Sequence, residues 1–183
     1  MERSGWLHTY KGVKFYPSSP KIEEIDIEDI AHALANVCRF GGHTRKFYSV
    51  AQHSVIVSKI IAKGFEKEGL LHDAPEAYIG DMVRPIKNVS EVGAAFKKIE
   101  KIVADAVEKR FKIRALDSEE VQVADDTVLA TEARDIMHGT KDWTLIRDGI
   151  TPMNAEVIPM SPEESERLFM QRYYELFPQD EVV

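Results

Sequence analysis

One cysteine, Cys38, stands among 183 residues, so no intramolecular disulfide can form and cysteine-based zinc sites are excluded. A reducing compartment is the natural setting. Long apolar runs are missing as well: Met1 is followed by Glu2, Arg3 and a mixed polar stretch, and no segment approaches the length of a bilayer span. No membrane partner is expected, and the chain reads as cytoplasmic. Positive charge is scarce, with 24 Lys and Arg against 31 Asp and Glu for a net charge of -7, which argues against a nucleic acid polymer as partner. A small phosphorylated ligand stays open, because a metal ion with a few converging Arg and Lys side chains makes a local positive pocket on an acidic protein. Internal repeats, low-complexity tracts and sustained heptads are also absent.

What is present, 44% hydrophobic and 30% charged residues, is the composition of a folded globular chain, long enough to bury one core as a single domain over residues 1–183. Two β-prone runs, Trp6–Tyr10 and Val13–Pro17, flank Lys11-Gly12 and predict a small hairpin at about 5–17. Asp26 caps a predicted helix with Ile27, Ile30, Ala31, Leu34 and Cys38 on one stripe, and Arg39 to Thr44 follows as a loop. Ser49 and Gln52 form a capping-box pattern for the next helix, in which His53 borders the apolar stripe and should face inward. One short helix is expected over 66–79, stopped by Gly80, and a turn at Pro85 and Asn88. Val92, Ala95, Phe96, Ile99, Ile102, Val103 and Ala106 mark the cleanest amphipathic helix. Asp117 with Glu120 caps another helix to about Met137, an irregular connection spans Gly139 to Met160, and Ser161-Pro162-Glu163-Glu164 opens the last helix at about 162–176. The expected fold is all-α: a bundle of five or six helices with a small N-terminal β-hairpin.

Chemistry concentrates in Leu70-Leu71-His72-Asp73-Ala74-Pro75-Glu76. On a helix His72 and Glu76 share a face with Asp73 beside them, a grouping suited to a divalent metal and a catalytic acid or base. His53 lies on the preceding helix, and a short connection favours packing that brings its imidazole opposite His72. Asp125-Asp126 places two carboxylates in an apolar helical context, where charge is costly unless paired or metal-bound. Periodicity does not say which of the two points inward.

Together, His53, His72-Asp73 and Ala124-Asp125 resemble the H…HD…D signature of HD-domain metal-dependent phosphohydrolases. The segments Ser49–Ser54, His72–Glu76 and Gly80-Asp81-Met82-Val83-Arg84-Pro85-Ile86-Lys87 look like the bacterial 5'-deoxynucleotidase branch and the phage dATP triphosphohydrolases near it. The resemblance covers about residues 27 to 137 and implies an HD-domain bundle whose metal ligands are His53, His72, Asp73 and Asp125, favouring Asp125 over Asp126. Two imidazoles and two carboxylates suit Mn, Co, Fe or Zn, with an additional Mg ion conceivable on a triphosphate substrate. Glu76 matches the family's catalytic glutamate, Arg39 an arginine that grips phosphate, and Asp81 a residue near the deoxyribose; Lys87 is the second expected phosphate contact. Phe40 stands where the family often has tryptophan against C2', so it is a substrate-contact candidate that departs from the pattern.

The implied activity is metal-dependent hydrolysis of a deoxynucleotide at the α-phosphorus, from a dNMP or from a dNTP such as dATP, by an enzyme expected to assemble as a homo-oligomer. The Phe96 to Val107 stripe and the aromatic C-terminal helix are the candidate assembly surfaces. The alternative is a non-catalytic metal-dependent nucleotide sensor. Taken singly, His53 reads as a core histidine, Glu76 as a surface glutamate, Asp125 as a polar member of a partly buried helix, and Arg39 as a helix C-terminal cap. His8, His32, His43 and His138 have no spacing that ties them to the cluster and read as structural or surface groups. Trp143 and Tyr173-Tyr174 read as core or subunit contacts.

Overall fold

Asp26 opens the first helix as its sequence predicts: its side chain accepts the Glu28 N–H at 2.8 Å and satisfies one of the donors a helix start leaves unpaired. The computed structural model describes residues 3–89, 91–140, 143 and 149–178. Helix α1 (Ile27–Asn36) buries Ile30, Ala31 and Leu34 but stops short of Cys38. Val37 turns to an extended conformation, and Cys38 pairs instead with Ser49 in an isolated antiparallel bridge. Backbone bonds from Val50 to Val37 and from Arg39 to Tyr48 close this contact and seat Arg39 at the start of the next helix.

That helix, α2 (Val50–Ile60), is buried nearly all round, as expected of an element enclosed by others. Ser49 caps it through the Gln52 N–H, but only half of the expected capping box forms. The Gln52 amide donates to the Ile158 carbonyl and accepts the Met160 N–H, because a buried amide gains more from pairing a passing strand of backbone than from its own N-cap. Ser54 and Ser58 return their hydroxyls to carbonyls within α2.

The helix expected over 66–79 is broken in two, α3 (Glu66–Leu71) and α4 (Glu76–Ile79). Pro75 has no N–H to give Leu71, so Ala74 bonds to Leu71 and Glu76 to Asp73 in tighter three-residue steps across the break. Gly80, at φ 80°, ends α4 with its N–H on Glu76 O. His72 and Glu76 therefore sit on either side of a break in the helix, joined by three-residue turns. Gly69 lets α3 close on α2, since a Cβ there would meet Ser58 Cα at 3.2 Å.

The expected turn at Pro85 and Asn88 is instead a short helix, α5 (Arg84–Val89), with Pro85 in its first turn where a missing N–H costs nothing. Helix α6 (Glu91–Phe111) follows, and its apolar stripe is only partly core: Val103, Ala106, Val107 and Phe111 are buried, whereas Val92, Ala95 and Ile102 are exposed. Its first half packs against the short α5. There the Gly93 Cα lies so near that a Cβ would fall 2.4 Å from Lys87 O and 2.5 Å from Ile86 O. Gly93→Ala is accordingly expected to lower stability by about 1–3 kcal/mol, the usual cost of forcing atoms into a packed contact. Urea unfolding of the variant checks this, and an unchanged midpoint would show that α5 rides freely.

Helix α7 (Glu119–Ile136) is capped by Ser118, not Asp117: the hydroxyl accepts the Val121 N–H. Helix α8 (Pro162–Leu176) begins as predicted, with Ser161 accepting the Glu164 N–H and Pro162 at its first position. Of the connection over 139–160, residues 141–142 and 144–148 lie outside the described residues. Its later part is held by Arg134, which donates to Met153 O and Ala155 O.

The hairpin pairs β1 (Leu7–His8) with β2 (Lys14–Phe15) antiparallel, Leu7 opposite Phe15. Phe15 is fully buried and stacks on Tyr78. The main core joins α1, α2, α3, α4, the second half of α6 and α8 around Ile30, Leu34, Leu70, Leu71, Val107, Phe169 and Tyr173. Val57, Val121, Ala124 and Val128 form a second core between α2 and α7. Among the described residues the fold is mostly helical with one small sheet; Val103 and Val107 of the stripe offered as an assembly surface are buried in the chain's own core, as are Phe169 and Tyr173 of the C-terminal helix, the latter in keeping with its core reading. Among the described residues no helix is long and apolar enough to cross a membrane.

Candidate metal centre

His53 projects from α2 with none of its side chain exposed, and the turn that follows α3 presents His72 and Asp73 to it. Each imidazole is oriented by its other nitrogen. The Nδ1–H of His53 donates to Glu132 Oε1 at 2.7 Å, and the Nδ1–H of His72 donates to the Gly69 carbonyl at 3.0 Å. Both partners only accept, so both Nε2 atoms are left to face one point, where they stand 3.3 Å apart. Asp73 Oδ2 adds a carboxylate oxygen 3.2 Å from His72 Nε2 and 3.8 Å from His53 Nε2. The ligand atoms of His53, His72 and Asp73 all lie within 4.8 Å of one another, and this group could hold a metal ion.

Asp125 stands at the edge of that group. Its Oδ1 is buried 3.1 Å from His53 Nε2 without a directed hydrogen bond to anything, while its Oδ2 accepts from Arg84 Nη2 at 2.6 Å. An unpartnered buried carboxylate oxygen beside two facing imidazole nitrogens is a donor set that asks for a cation. The side chain of Asp126 lies further out, 34% exposed against 20% for Asp125.

Burial and the Arg39 charge oppose protonation of His53, yet Glu132 and Asp125 raise its pKa to about 9. Burial also opposes ionisation of Asp73 and Asp125, but the two histidines and Arg39 hold both carboxyls below their usual range. Glu76 is the opposite case: burial first, then the charges of Asp73 and Asp81, push its carboxyl well above the ordinary value, and its Oε2 has no hydrogen-bond partner. Asp81 is likewise pushed up, mainly by burial.

The remaining expected residues fall as follows. Arg39 donates to Asp73 Oδ2 and Glu132 Oε2, each at 3.3 Å, so its guanidinium enters the cluster. Its Nε is buried without a partner. Phe40 follows in a 3-10 turn (Arg39–Gly42) at φ 55°, ψ 28°, a left-handed conformation that non-glycine residues seldom adopt. Its ring lies 5.4 Å from the Arg39 guanidinium and 5.9 Å from the Trp143 ring. Lys87, on α5, is tied to Glu100 at 2.6 Å. A cleft of about 360 Å³ opens from His72, Asp73, Glu76 and Asp125 toward Lys87 and Val121. His8, His43 and His138 are exposed, and His32 pairs with Glu166 at 3.1 Å.

Glu132 escaped the sequence reading although it is wholly buried and joins His53 to Arg39. It lies seven residues, two helical turns, after Asp125, among Val128, Leu129 and Ala133. The reasoning that singled out Asp125-Asp126, a carboxylate in an apolar helix, applies to it equally.

Fold and site thus define a mostly helical protein with a His-His-Asp group able to hold a metal ion. No family model matches the chain. It is 34% identical over 172 residues to the uncharacterized protein YfdR of Escherichia coli (strain K12), across 93% of this chain and 95% of that one, and it belongs to the same family as that protein. It is also 34% identical over 123 residues, 62% of each chain, to an uncharacterized protein of Rhodobacter capsulatus.

Proposed function

We propose that the chain is an HD-domain metal-dependent phosphohydrolase that cleaves deoxynucleotides at the α-phosphorus, releasing a deoxynucleoside with phosphate or with triphosphate. The observation that carries this reading is the convergence of His53, His72 and Asp73, with Asp125 against His53, at the positions the H…HD…D resemblance assigns to metal. Those four residues would hold a Mn, Co, Fe or Zn ion. When bound, such an ion supplies Lewis acidity toward a phosphoryl oxygen and acidifies water. An additional Mg ion would come with a triphosphate.

The chain's own groups divide the rest of the work. Glu76, in the lining of the cleft with one free buried oxygen, accepts the proton of the attacking water and returns it to the leaving 5' oxygen. A bond forms between the water oxygen and phosphorus, and the phosphorus–O5' bond breaks. Arg39 offers a planar fork to phosphate, and Lys87 a point charge from the cleft wall. Asp81, whose carboxyl burial pushes above its usual range, pairs with the sugar hydroxyl, and Phe40 in its left-handed turn walls the sugar. The ligand is a small molecule, in keeping with the acidic composition.

A panel of dNMPs and dNTPs with Mn, Co and Mg tests this. Metal-dependent release of deoxynucleoside with phosphate or triphosphate is expected, and no release from any substrate would sink the reading. Metal-dependent thermal stabilisation by a nucleotide with no product on long incubation would favour the sensor instead.

A further inference from the structure

Asp125 and Asp126 are consecutive on α7, and one guanidinium holds both. Arg84 donates through Nη2 to Asp125 Oδ2 at 2.6 Å and through Nη1 to Asp126 Oδ1 at 3.2 Å. That leaves Asp125 Oδ1 as the oxygen turned to His53 Nε2, buried and without a hydrogen bond. An aspartate's terminal torsion is soft, so a carboxylate with both oxygens free would swing through a wide arc or present both edges to a cation. A single exposed ion pair would hold it weakly. Here a rigid planar fork is gripped at two points, and its main chain is anchored by the close seating of α5 on Gly93 and by the Lys87–Glu100 pair at 2.6 Å.

We infer that Arg84 is a positioning residue that fixes Asp125 with one oxygen toward the metal centre, and that Asp126 is the counter-charge that keeps Arg84 in place. The inference rests on the metal-centre reading and assigns a purpose to the aspartate pair that sequence periodicity left undivided. The competing role for Arg84, a cation that merely occupies Asp125 until a metal displaces it, has the opposite sign: removing it would tighten metal binding.

Titration of the full chain with Co²⁺, followed by its visible absorption and by competition with a chelating indicator, separates these roles. Arg84→Ala is expected to weaken Co²⁺ binding roughly tenfold, the usual scale for losing an outer partner of a ligand, and to change the visible spectrum as the Asp125 carboxylate reorients. Arg84→Lys recovers part of the affinity, because an ammonium holds Asp125 as a point charge without the fork. Asp126→Asn shifts affinity in the same direction by less. Equal or tighter Co²⁺ binding by Arg84→Ala, or an unchanged spectrum, overturns the inference while leaving the centre standing. Failure of the unaltered chain to bind Co²⁺ removes the centre itself and the inference with it.

Discussion

Glu76→Gln is expected to lower deoxynucleotide hydrolysis by roughly 10²–10⁴-fold, the range contributed by a positioned general acid or base, while Co²⁺ affinity stays unchanged. The side chain is nearly isosteric and lies beside the ligand set rather than in it. What the amide cannot do is take a proton. In the folded chain Glu76 is buried with an unpartnered oxygen, and burial together with Asp73 and Asp81 disfavours its charge. Neutral glutamine removes that conflict, so the variant's melting temperature should hold or rise. A rate equal to wild type, measured as phosphate or triphosphate release at saturating Mn, would rule out the catalytic role and leave Glu76 a strained wall of the cleft.

Glu132→Ala should be the most damaging single change to the fold. The carboxylate has no exposed surface, and it is the shared acceptor of His53 Nδ1 at 2.7 Å and Arg39 Nη2 at 3.3 Å. Burial alone would favour its neutral form, but Arg39 and His53 hold its carboxyl below the usual range. Taking away one partner of such a network strands the others, at about 3–5 kcal/mol. For a chain of this size that corresponds to a fall of roughly 10 °C or more in melting temperature. Metal affinity should fall as well, because His53 loses the acceptor that turns its Nε2 toward His72. Glu132→Gln keeps an acceptor without the charge and should lie between. Thermal melts with and without Co²⁺ measure both effects, and a wild-type melt for Glu132→Ala would contradict the central place given to this residue.

The starts of α1, α2 and α8 were legible in the sequence because a cap acts within three residues: Asp26, Ser49 and Ser161 each meet an N–H two or three positions on. The hairpin around Gly12 was legible for a similar reason, and His53 showed itself inward by bordering an apolar stripe. Periodicity misled where tertiary space was missing. The stripe of α6 continues past the core into solvent at Val92 and Ile102, and Cys38 follows a helical spacing that the chain abandons at Val37.

The pairings that shape the site lie outside such local reasoning. His53 meets Glu132 across 79 residues, Arg84 meets Asp125 across 41, and Arg39 meets Asp73 across 34. Residue types and spacing could name His53, His72, Asp73 and the Asp125-Asp126 pair as candidates, since their chemistry travels with them along the chain. Which oxygen of Asp125 faces the histidines, and that Glu132 holds two partners at once, depend on how α2, α5 and α7 come together. Hydrogen bonds act over about 3 Å, and only packing of distant segments brings such groups within that reach.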